Sequence, residues 1–217
     1  MNAVILTLLV ALLLAASTAA AADTHLDFEV FLDAKPVGTH RFDILRAAGG
    51  SQTVRSVAVF DVKILGFVAY RYRHEATEHW AQGCLEEIKS STNDNGHALQ
   101  VSRDFRDACV TSYAYWDPAR LLRQHELFNP QTGEFDVVKI ESRGEEAVMV
   151  RGTTVRADRY RLDNGKLVID LWYSKTGEWL QLDSSTPSKR TLRYRLAGIA
   201  TTNSAPSGVS SSDRSPP

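Results

Sequence analysis

The chain has 217 residues and a formal net charge of -1, from 25 basic and 26 acidic side chains. A phosphate backbone is bound through a concentrated basic face, so this balance excludes nucleic acid as the expected partner. The charged fraction of 24% is ordinary for a globular protein, and the length suffices for one domain with a real core.

The N-terminal 22 residues, MNAVILTLLVALLLAASTAAAA, form an apolar run closed by small residues. This is the pattern of a secretory signal peptide that is cut after an A-x-A site. Its apolar centre, Val4 to Leu14, is too short to span roughly 30 Å of hydrocarbon. An uncleaved anchor is the alternative, because neither lysine nor arginine precedes the run. We predict cleavage near Ala22 and a working protein that starts near Asp23, in the periplasm or outside the cell.

Strand signals begin directly after the leader. Leu26, Phe28 and Val30 alternate with polar residues, a period of two that turns one face of a strand to the core. A DAKPVG turn leads to a second alternating segment with His40 and Phe42 on one face, so these two segments are predicted to form a hairpin. Further strands are predicted around 52–62, 66–80, 84–93 and 97–105.

Turn signals continue through the second half of the chain. Asn95-Gly96 and Asp163-Asn164-Gly165 suit the positive φ of tight hairpin turns. KLVIDLWY, WLQL and residues 190–196 supply the last strands, giving roughly ten to twelve antiparallel strands in all. This spacing predicts a mainly β fold: a single large curled antiparallel sheet, half-barrel or barrel-like, with one short helix.

One segment, WDPARLLRQHELFNP, departs from the strand pattern. Asp117 can cap the free amides of a first turn, and Pro118 fits the first helical position. Side chains that suit a buried helix face recur at helical spacing: Leu121, Leu122, His125 and Phe128. We predict an amphipathic helix of about ten residues that starts at Asp117, ends before Asn129-Pro130 and packs over an open edge or end of the sheet.

The C-terminal sequence GIATTNSAPSGVSSSDRSPP has few apolar residues to offset the entropy of ordering, and we predict it to be disordered. The chain therefore divides into three parts. These are a signal peptide at 1–22, one antiparallel β domain at 23–197 and a disordered Ser/Pro-rich tail at 198–217.

The sequence contains two cysteines, Cys84 and Cys109, both in the part predicted to be exported. One disulfide between them is the simplest interpretation, because disulfides persist in oxidising compartments. Two buried free thiols are the alternative. A metal site is not expected, since two cysteines without C-x-x-C or histidine spacing supply too few soft ligands, and no cofactor is predicted.

The string HEATEH at 74–79 invites comparison with zinc-protease signatures, which place two histidines four apart on a helix beside a glutamate. Here the second histidine comes five residues after the first, and on a strand this odd spacing puts His74 and His79 on opposite faces. We interpret the string as ordinary strand. The sequence also has no G-x-S-x-G elbow and no Gly-rich phosphate loop, which counts against a hydrolase or nucleotide enzyme.

The strand around residue 70 has two chemically distinct faces. One carries Val68, Tyr70, Tyr72 and His74, and the other carries alternating arginines. Aromatic side chains with a polar tip can line a pocket for an amphiphile, with plain core filling as the alternative. The arginine face suits anionic head groups or, as the commoner case, solvated ion pairs across strands.

Several segments together carry a family resemblance: YRYRHEATEHWAQGCLEEIKSSTNDNG, CVTSYAYWDP, NPQTGE, LVIDLWYSKTGEWLQL and TLRYRL. They resemble an uncharacterised family of exported bacterial proteins, domain of unknown function 6134, over nearly all of residues 25 to 197. The resemblance implies no activity. More distantly, the hairpin at Gly38 to Phe42 and the LWY strand are similar to exported families with a strongly curved sheet, the lipoprotein-carrier half-barrels, which implies a fold by analogy.

These observations favour a non-enzymatic periplasmic binder, in which the curled sheet holds a hydrophobic small molecule or lipid and the short helix is its lid. Peripheral contact with a membrane or with envelope proteins fits the same hypothesis. The predicted ligand-binding residues are Val30, Tyr70, Tyr72, His74, Leu121, Phe128 and Leu171.

Two other classes stay open. The first is a structural or protein-interaction module of the cell envelope. The second is an envelope enzyme that uses His74 with Glu78 or Tyr72, although the sequence offers these residues without a catalytic constellation. No catalytic residue is therefore assigned, and an enzyme is the less favoured hypothesis.

Overall fold

A computed structural model of the protein describes residues 22–185 and 189–203, so the predicted signal peptide and residues 204–217 lie outside the described chain, apart from Ala22. The described elements in chain order are β1 (Ala22–Leu32), β2 (Lys35–Arg46), β3 (Gln52–Ile64), β4 (Phe67–Ala81), β5 (Cys84–Asp94), β6 (His97–Asp104), α1 (Pro118–Leu121), β7 (Glu126–Asn129), β8 (Glu134–Val137), β9 (Lys139–Val150), β10 (Thr153–Asp163), β11 (Val168–Tyr173), β12 (Trp179–Ser185) and β13 (Thr191–Asn203). A short 3-10 turn, Ala48–Gly50, lies between β2 and β3.

Eleven strands form one antiparallel sheet in the order β6-β5-β4-β3-β2-β1-β13-β12-β11-β10-β9. The first and last strands of the chain pair in its middle, from Ala22 opposite Asn203 to Leu32 opposite Leu192. The end strands β6 and β9 are not paired with each other, so the sheet does not close. This confirms the predicted fold class, a large curled antiparallel sheet with one short helix.

The chain between the two end strands, residues 105–138, crosses the inner side of the sheet, and we call it the covering segment. It contains α1 and the separate β7-β8 hairpin. An isolated bridge between Leu85 and Val110 and a disulfide between Cys84 and Cys109 fasten its beginning to β5. The disulfide, with a Cα–Cα distance of 4.8 Å, confirms the predicted pairing.

The helix is shorter than predicted. Asp117 caps it by accepting a hydrogen bond from the Arg120 amide at 3.2 Å, as expected, but α1 ends at Leu121 after four residues. Residues 126–129 instead pair with β8, and the Phe128 amide donates to the Thr111 carbonyl at 2.9 Å. These strand bonds satisfy the backbone that a longer helix would have satisfied internally, so the prediction of ten helical residues was wrong. No helix among the described residues has the length and apolar character needed to cross a membrane.

The last strand extends beyond the boundary predicted for the tail. β13 continues through residues 198–203, where Ala200 pairs with His25 and Thr202 with Asp23. The pairing partner explains the difference, because β1 supplies backbone hydrogen bonds that the polar composition of this segment does not reveal. The prediction of disorder from 198 was therefore wrong for these residues, and it stays a prediction for 204–217.

Buried side chains on the inner side of the sheet form two groups. The larger group includes Phe28, Phe42, Trp80, Phe128 and Trp179. The smaller group consists of Val30, Val37, Ala58 and Phe60. Full burial of each large apolar side chain contributes about 1.5 to 3 kcal/mol, so these groups hold the curled sheet and the covering segment together.

Gly38 allows β2 and β3 to approach closely. A Cβ atom at this position would lie 1.8 Å from the Val59 carbonyl oxygen and 2.9 Å from the Phe60 Cα. We expect Gly38→Ala to lower the free energy of unfolding by about 2 kcal/mol or more, because the β3 backbone has to shift. The matched control is Gly198→Ala, whose added Cβ would meet the Asp27 side chain at 3.5 Å. Urea unfolding of both variants checks this, and equal stability of the two would contradict the close approach.

Candidate ligand-binding cavity

A cavity of about 570 Å³ lies between the inner face of the sheet and the covering segment. Most of its wall is apolar or aromatic. Strands β2 to β4 contribute Val37, Phe42, Val54, Ala58, Phe60 and Val62. The other half of the sheet contributes Ile169, Trp179, Leu182, Leu192 and Tyr194, and the covering segment contributes Tyr113, Tyr115, Trp116 and residues 129–131.

Three of the seven predicted ligand-binding residues line this cavity: Tyr70, Tyr72 and His74. The other four, Val30, Leu121, Phe128 and Leu171, are fully buried in the packed groups and do not line it. Alternation correctly gave their inward direction. It could not show that the sheet and covering segment fill the space around them.

The predicted helical lid is also wrong in detail. Leu121 and Phe128 do turn inward, but they pack in the larger buried group and do not line the cavity. The cavity is covered by the chain on either side of them, at 113–116 and at 129–131. The physical reason is that α1 has only four residues, so the residues on either side of it cover the cavity instead.

Polar contacts fasten the covering segment across the cavity. The Tyr72 hydroxyl donates to the Gln131 side chain at 2.9 Å, and Ser90 donates to the Pro130 carbonyl at 2.5 Å. At the opposite wall the Asn164 amide donates to the Tyr113 hydroxyl at 3.1 Å. The segment is therefore held to both halves of the sheet.

His40 is a cavity residue that the sequence analysis did not select. Its ring stacks on Phe42 with centroids 4.2 Å apart, and the Tyr194 ring lies 5.6 Å away. Both ring nitrogens are buried, and neither has a hydrogen-bond partner among the described residues. Its inward position in the alternating second strand was the available signal. A histidine that alternation places among apolar inward residues is expected to be buried, and a buried polar side chain without a hydrogen bond calls for an explanation.

His74 and Glu78 lie on one face of β4, and the exposed His79 lies on the other, as the odd spacing predicted. His74 Nδ1 is 2.9 Å from the Thr92 hydroxyl. The Glu78 carboxylate accepts from the Ser112 hydroxyl at 2.7 Å and from the Trp80 indole at 2.9 Å. Glu78 thus binds the covering segment to β4.

The two histidines that line the cavity carry no charge near neutral pH. Burial lowers the pKa of His40 to about 3 and that of His74 to about 4, so both imidazoles are neutral. Burial also raises the pKa of the Tyr72 and Tyr194 phenols. No group of three or more histidine, cysteine, aspartate or glutamate side chains in the described chain is arranged to hold a metal ion. The site can enclose apolar groups and offer a few neutral hydrogen-bonding groups.

Acid is expected to destabilise the fold through the two buried histidines. Their folded pKa values, about 3 for His40 and about 4 for His74, lie below the unfolded value of 6.5. The unfolded chain therefore binds more protons, and the free energy of unfolding falls as the pH drops from 6.5 toward 4. Glu78 acts in the opposite direction, because burial raises its pKa and its protonation favours the folded state.

Urea unfolding at pH 7 and pH 4.5 measures this effect in the wild type and in His40→Phe. Phenylalanine keeps the ring contact with Phe42 and removes one titrating group. We expect the variant to lose less stability than the wild type, by about 1 to 2 kcal/mol over this range. Equal losses in the two proteins would contradict the burial of a neutral His40.

The fold and the cavity define an open antiparallel half-barrel with a covering segment and a ligand-sized internal space. The chain belongs to the family described as Domain of unknown function (DUF6134), whose model matches residues 28–197. This confirms the resemblance found in the sequence. A comparison with curated proteins gave no match.

Solved structures support the fold. The chain is similar to the beta-barrel-like protein of domain of unknown function DUF1849 from Brucella abortus, with a TM-score of 0.61, 9% identity, and coverage of 84% of this chain and 98% of that one. A second match is the MucA/MucB complex structure of Pseudomonas aeruginosa, with a TM-score of 0.40, 13% identity, and coverage of 83% of this chain and 52% of that one. At these identities the first match shows the fold alone, and the second carries no argument.

Proposed function

We propose that the protein is a non-enzymatic binder of a hydrophobic molecule, such as an acyl chain, held in the cavity beneath the covering segment. The observation that supports this most strongly is the cavity itself, about 570 Å³ with mostly apolar and aromatic walls. Ligand pockets commonly fall between roughly 300 and 1,000 Å³. Packed protein interiors leave voids scarcely larger than a water molecule, so a space of this size calls for an occupant.

The polar groups of the wall indicate how such a molecule is oriented. His40, His74 and Tyr194 are neutral in the interior, which favours an uncharged chain there. Arg190 also lines the cavity, directly before β13, and its guanidinium is paired with Asp33 at 2.8 Å. We infer that the apolar chain lies inward, while a polar head group lies toward the Arg190–Asp33 pair.

We also propose that the protein is exported to the periplasm or beyond. The Cys84–Cys109 disulfide supports this, because such bonds persist in oxidising compartments. Under this proposal, N-terminal sequencing of the protein isolated from its own cells gives a sequence that starts close to Asp23. An intact Met1 on a membrane-bound form would contradict it.

The enzyme hypothesis receives less support from the site. Glu78 is the only carboxylate lining the cavity among the described residues, and it is engaged by Ser112 and Trp80. It thus has a structural role as a tie to the covering segment. An interaction module remains the competing function, and it is the outcome to accept if the cavity takes up no ligand.

Titration with cis-parinaric acid, a fluorescent fatty acid, tests the proposal. We expect saturable binding with an enhanced probe signal and energy transfer from Trp116 and Trp179, which line the cavity. Unlabelled palmitate should displace the probe, whereas butyrate, too small to fill the space, should not. Absence of saturable binding by the folded protein would contradict the proposed function.

A further inference from the structure

The turn between β3 and β4 exposes a cluster of large apolar side chains, which we call the apolar tip: Ile64, Leu65, Phe67 and Val68. Leu65 is 93% exposed, Phe67 79% and Ile64 59%. Isolated exposed apolar side chains are normal on a protein surface, but a contiguous cluster marks an interaction site. The apolar tip is therefore a candidate contact surface.

The backbone conformation of the turn does not favour the leucine that occupies it, so the stability of the fold does not explain this residue. Leu65 has φ of 51° and Gly66 has φ of 86°, so a leucine occupies the left-handed region. The other non-glycine residues with positive φ in the described chain are all polar: Asp33, Gln82, Asn95, Arg151 and Lys189. Leucine is a poor choice for this position both in conformation and in hydration. A role outside the fold accounts for its presence.

A basic groove of about 560 Å³ lies beside the apolar tip, and Ile64 belongs to its wall. Among the described residues the groove is lined by Lys35, Lys63, Arg190 and one carboxylate, Asp61. Asp61 is paired with Arg73 at 3.0 Å, and Arg190 is paired with Asp33 at 2.8 Å. Neither Lys35 nor Lys63 forms an ion pair in the part of the chain described. Lys35 and Lys63 therefore give the groove an excess of positive charge that attracts anions, beside the exposed side chains of the apolar tip.

The apolar tip and the groove continue into the mouth of the cavity. Val62 pairs with Tyr70 at the base of the hairpin, and both line the cavity. Val37, Val62 and Arg190 line the cavity and the groove alike. A bulge between Val62 and Lys63 then changes the register, which lets the hairpin end present a different face.

We propose that the apolar tip inserts into the interface of an anionic phospholipid bilayer, with the lipid phosphates against Lys35 and Lys63. Binding to such a surface requires apolar side chains that enter the acyl boundary. It also requires neighbouring cations that contact the head groups. A hairpin end is small for a stable contact with a second copy of the chain, which usually needs roughly 800 Å² on each partner. This inference does not depend on the cavity being occupied.

Vesicle flotation tests the inference with two lipid compositions, phosphatidylcholine alone and an equal mixture with phosphatidylglycerol. We expect the wild type to float with the anionic vesicles and the double variant Leu65→Asn/Phe67→Thr to bind them at least ten-fold less. Asn-Gly is a favoured sequence for this type of turn, so the variant should fold. Lys35→Gln/Lys63→Gln should lose the preference for anionic vesicles.

The matched control is Met149→Ser, which removes an apolar side chain that is 59% exposed near the other end of the sheet. It should bind vesicles like the wild type, and all variants should still bind cis-parinaric acid if the proposed function holds. The inference is overturned if the wild type binds neither vesicle, or if Leu65→Asn/Phe67→Thr floats as well as the wild type. It is also overturned if light scattering shows that the apolar tip instead holds two copies of the chain together.

Discussion

Replacing Cys84 and Cys109 together by serine is expected to lower the free energy of unfolding by about 3 to 4 kcal/mol. The disulfide joins residues 25 apart in the sequence, and without it the unfolded chain regains the entropy of an open loop of that length. The bond also fastens the start of the covering segment to β5, next to the bridge between Leu85 and Val110. We therefore expect loss of the disulfide to loosen the cover of the cavity as well as to destabilise the whole fold.

Guanidinium unfolding of the wild type, of the double variant and of each with reductant checks this expectation. Reductant should bring the wild type close to the variant and should leave the variant unchanged. We also expect the variant to bind cis-parinaric acid more weakly, because the covering segment is then held by fewer contacts. A variant within about 0.5 kcal/mol of the wild type would show that the disulfide adds little to the fold.

Filling the cavity with Ser56→Trp is expected to weaken ligand binding at least ten-fold while leaving the fold intact. Ser56 is half-buried on the inner face of β3 and lines the cavity. An indole there occupies space that a ligand would use, and its apolar area offsets the loss of a small hydroxyl. The free energy of unfolding should stay within about 1 kcal/mol of the wild type.

Val30→Trp is the matched comparison, because it adds the same indole at a fully buried position that does not itself line the cavity. Val30 is fully buried and packs with Val37, Ala58 and Phe60. Overpacking should cost about 1 to 3 kcal/mol there. Comparing the stability of the two variants therefore distinguishes a position beside an empty cavity from a position in the packed core. Equal destabilisation by both variants, with unchanged ligand binding in Ser56→Trp, would argue against a usable cavity.

The sequence predicts much of the sheet because strand alternation and turn chemistry are local. Asn95-Gly96 provides the left-handed turn between β5 and β6, with φ of 50° and 97° at the two residues. Alternation also gave the inward face of β1 and β4 and put His74 and His79 on opposite sides. The covering segment was harder to predict, since its β7 forms only through pairing with β8.

The cavity could be predicted only in part, because alternation reports which face a residue occupies and not whether the facing space is filled. Tyr72 and Val30 both point inward, yet the first meets a cavity and the second a packed group. His40 escaped selection for a related reason. Its unusual feature, two ring nitrogens without a partner among the described residues, depends on Phe42 and Tyr194 being packed beside it. Such contacts arise between distant segments.

Native mass spectrometry of the protein purified from its own cells tests the central claim most directly. The account predicts that the wild type retains the added mass of a hydrophobic molecule, which is released on activation in the gas phase, and that Ser56→Trp carries none. Both proteins must be prepared side by side without detergent, so that any difference reports on the cavity. A clean unliganded mass for the wild type, indistinguishable in occupancy from Ser56→Trp, would contradict the account.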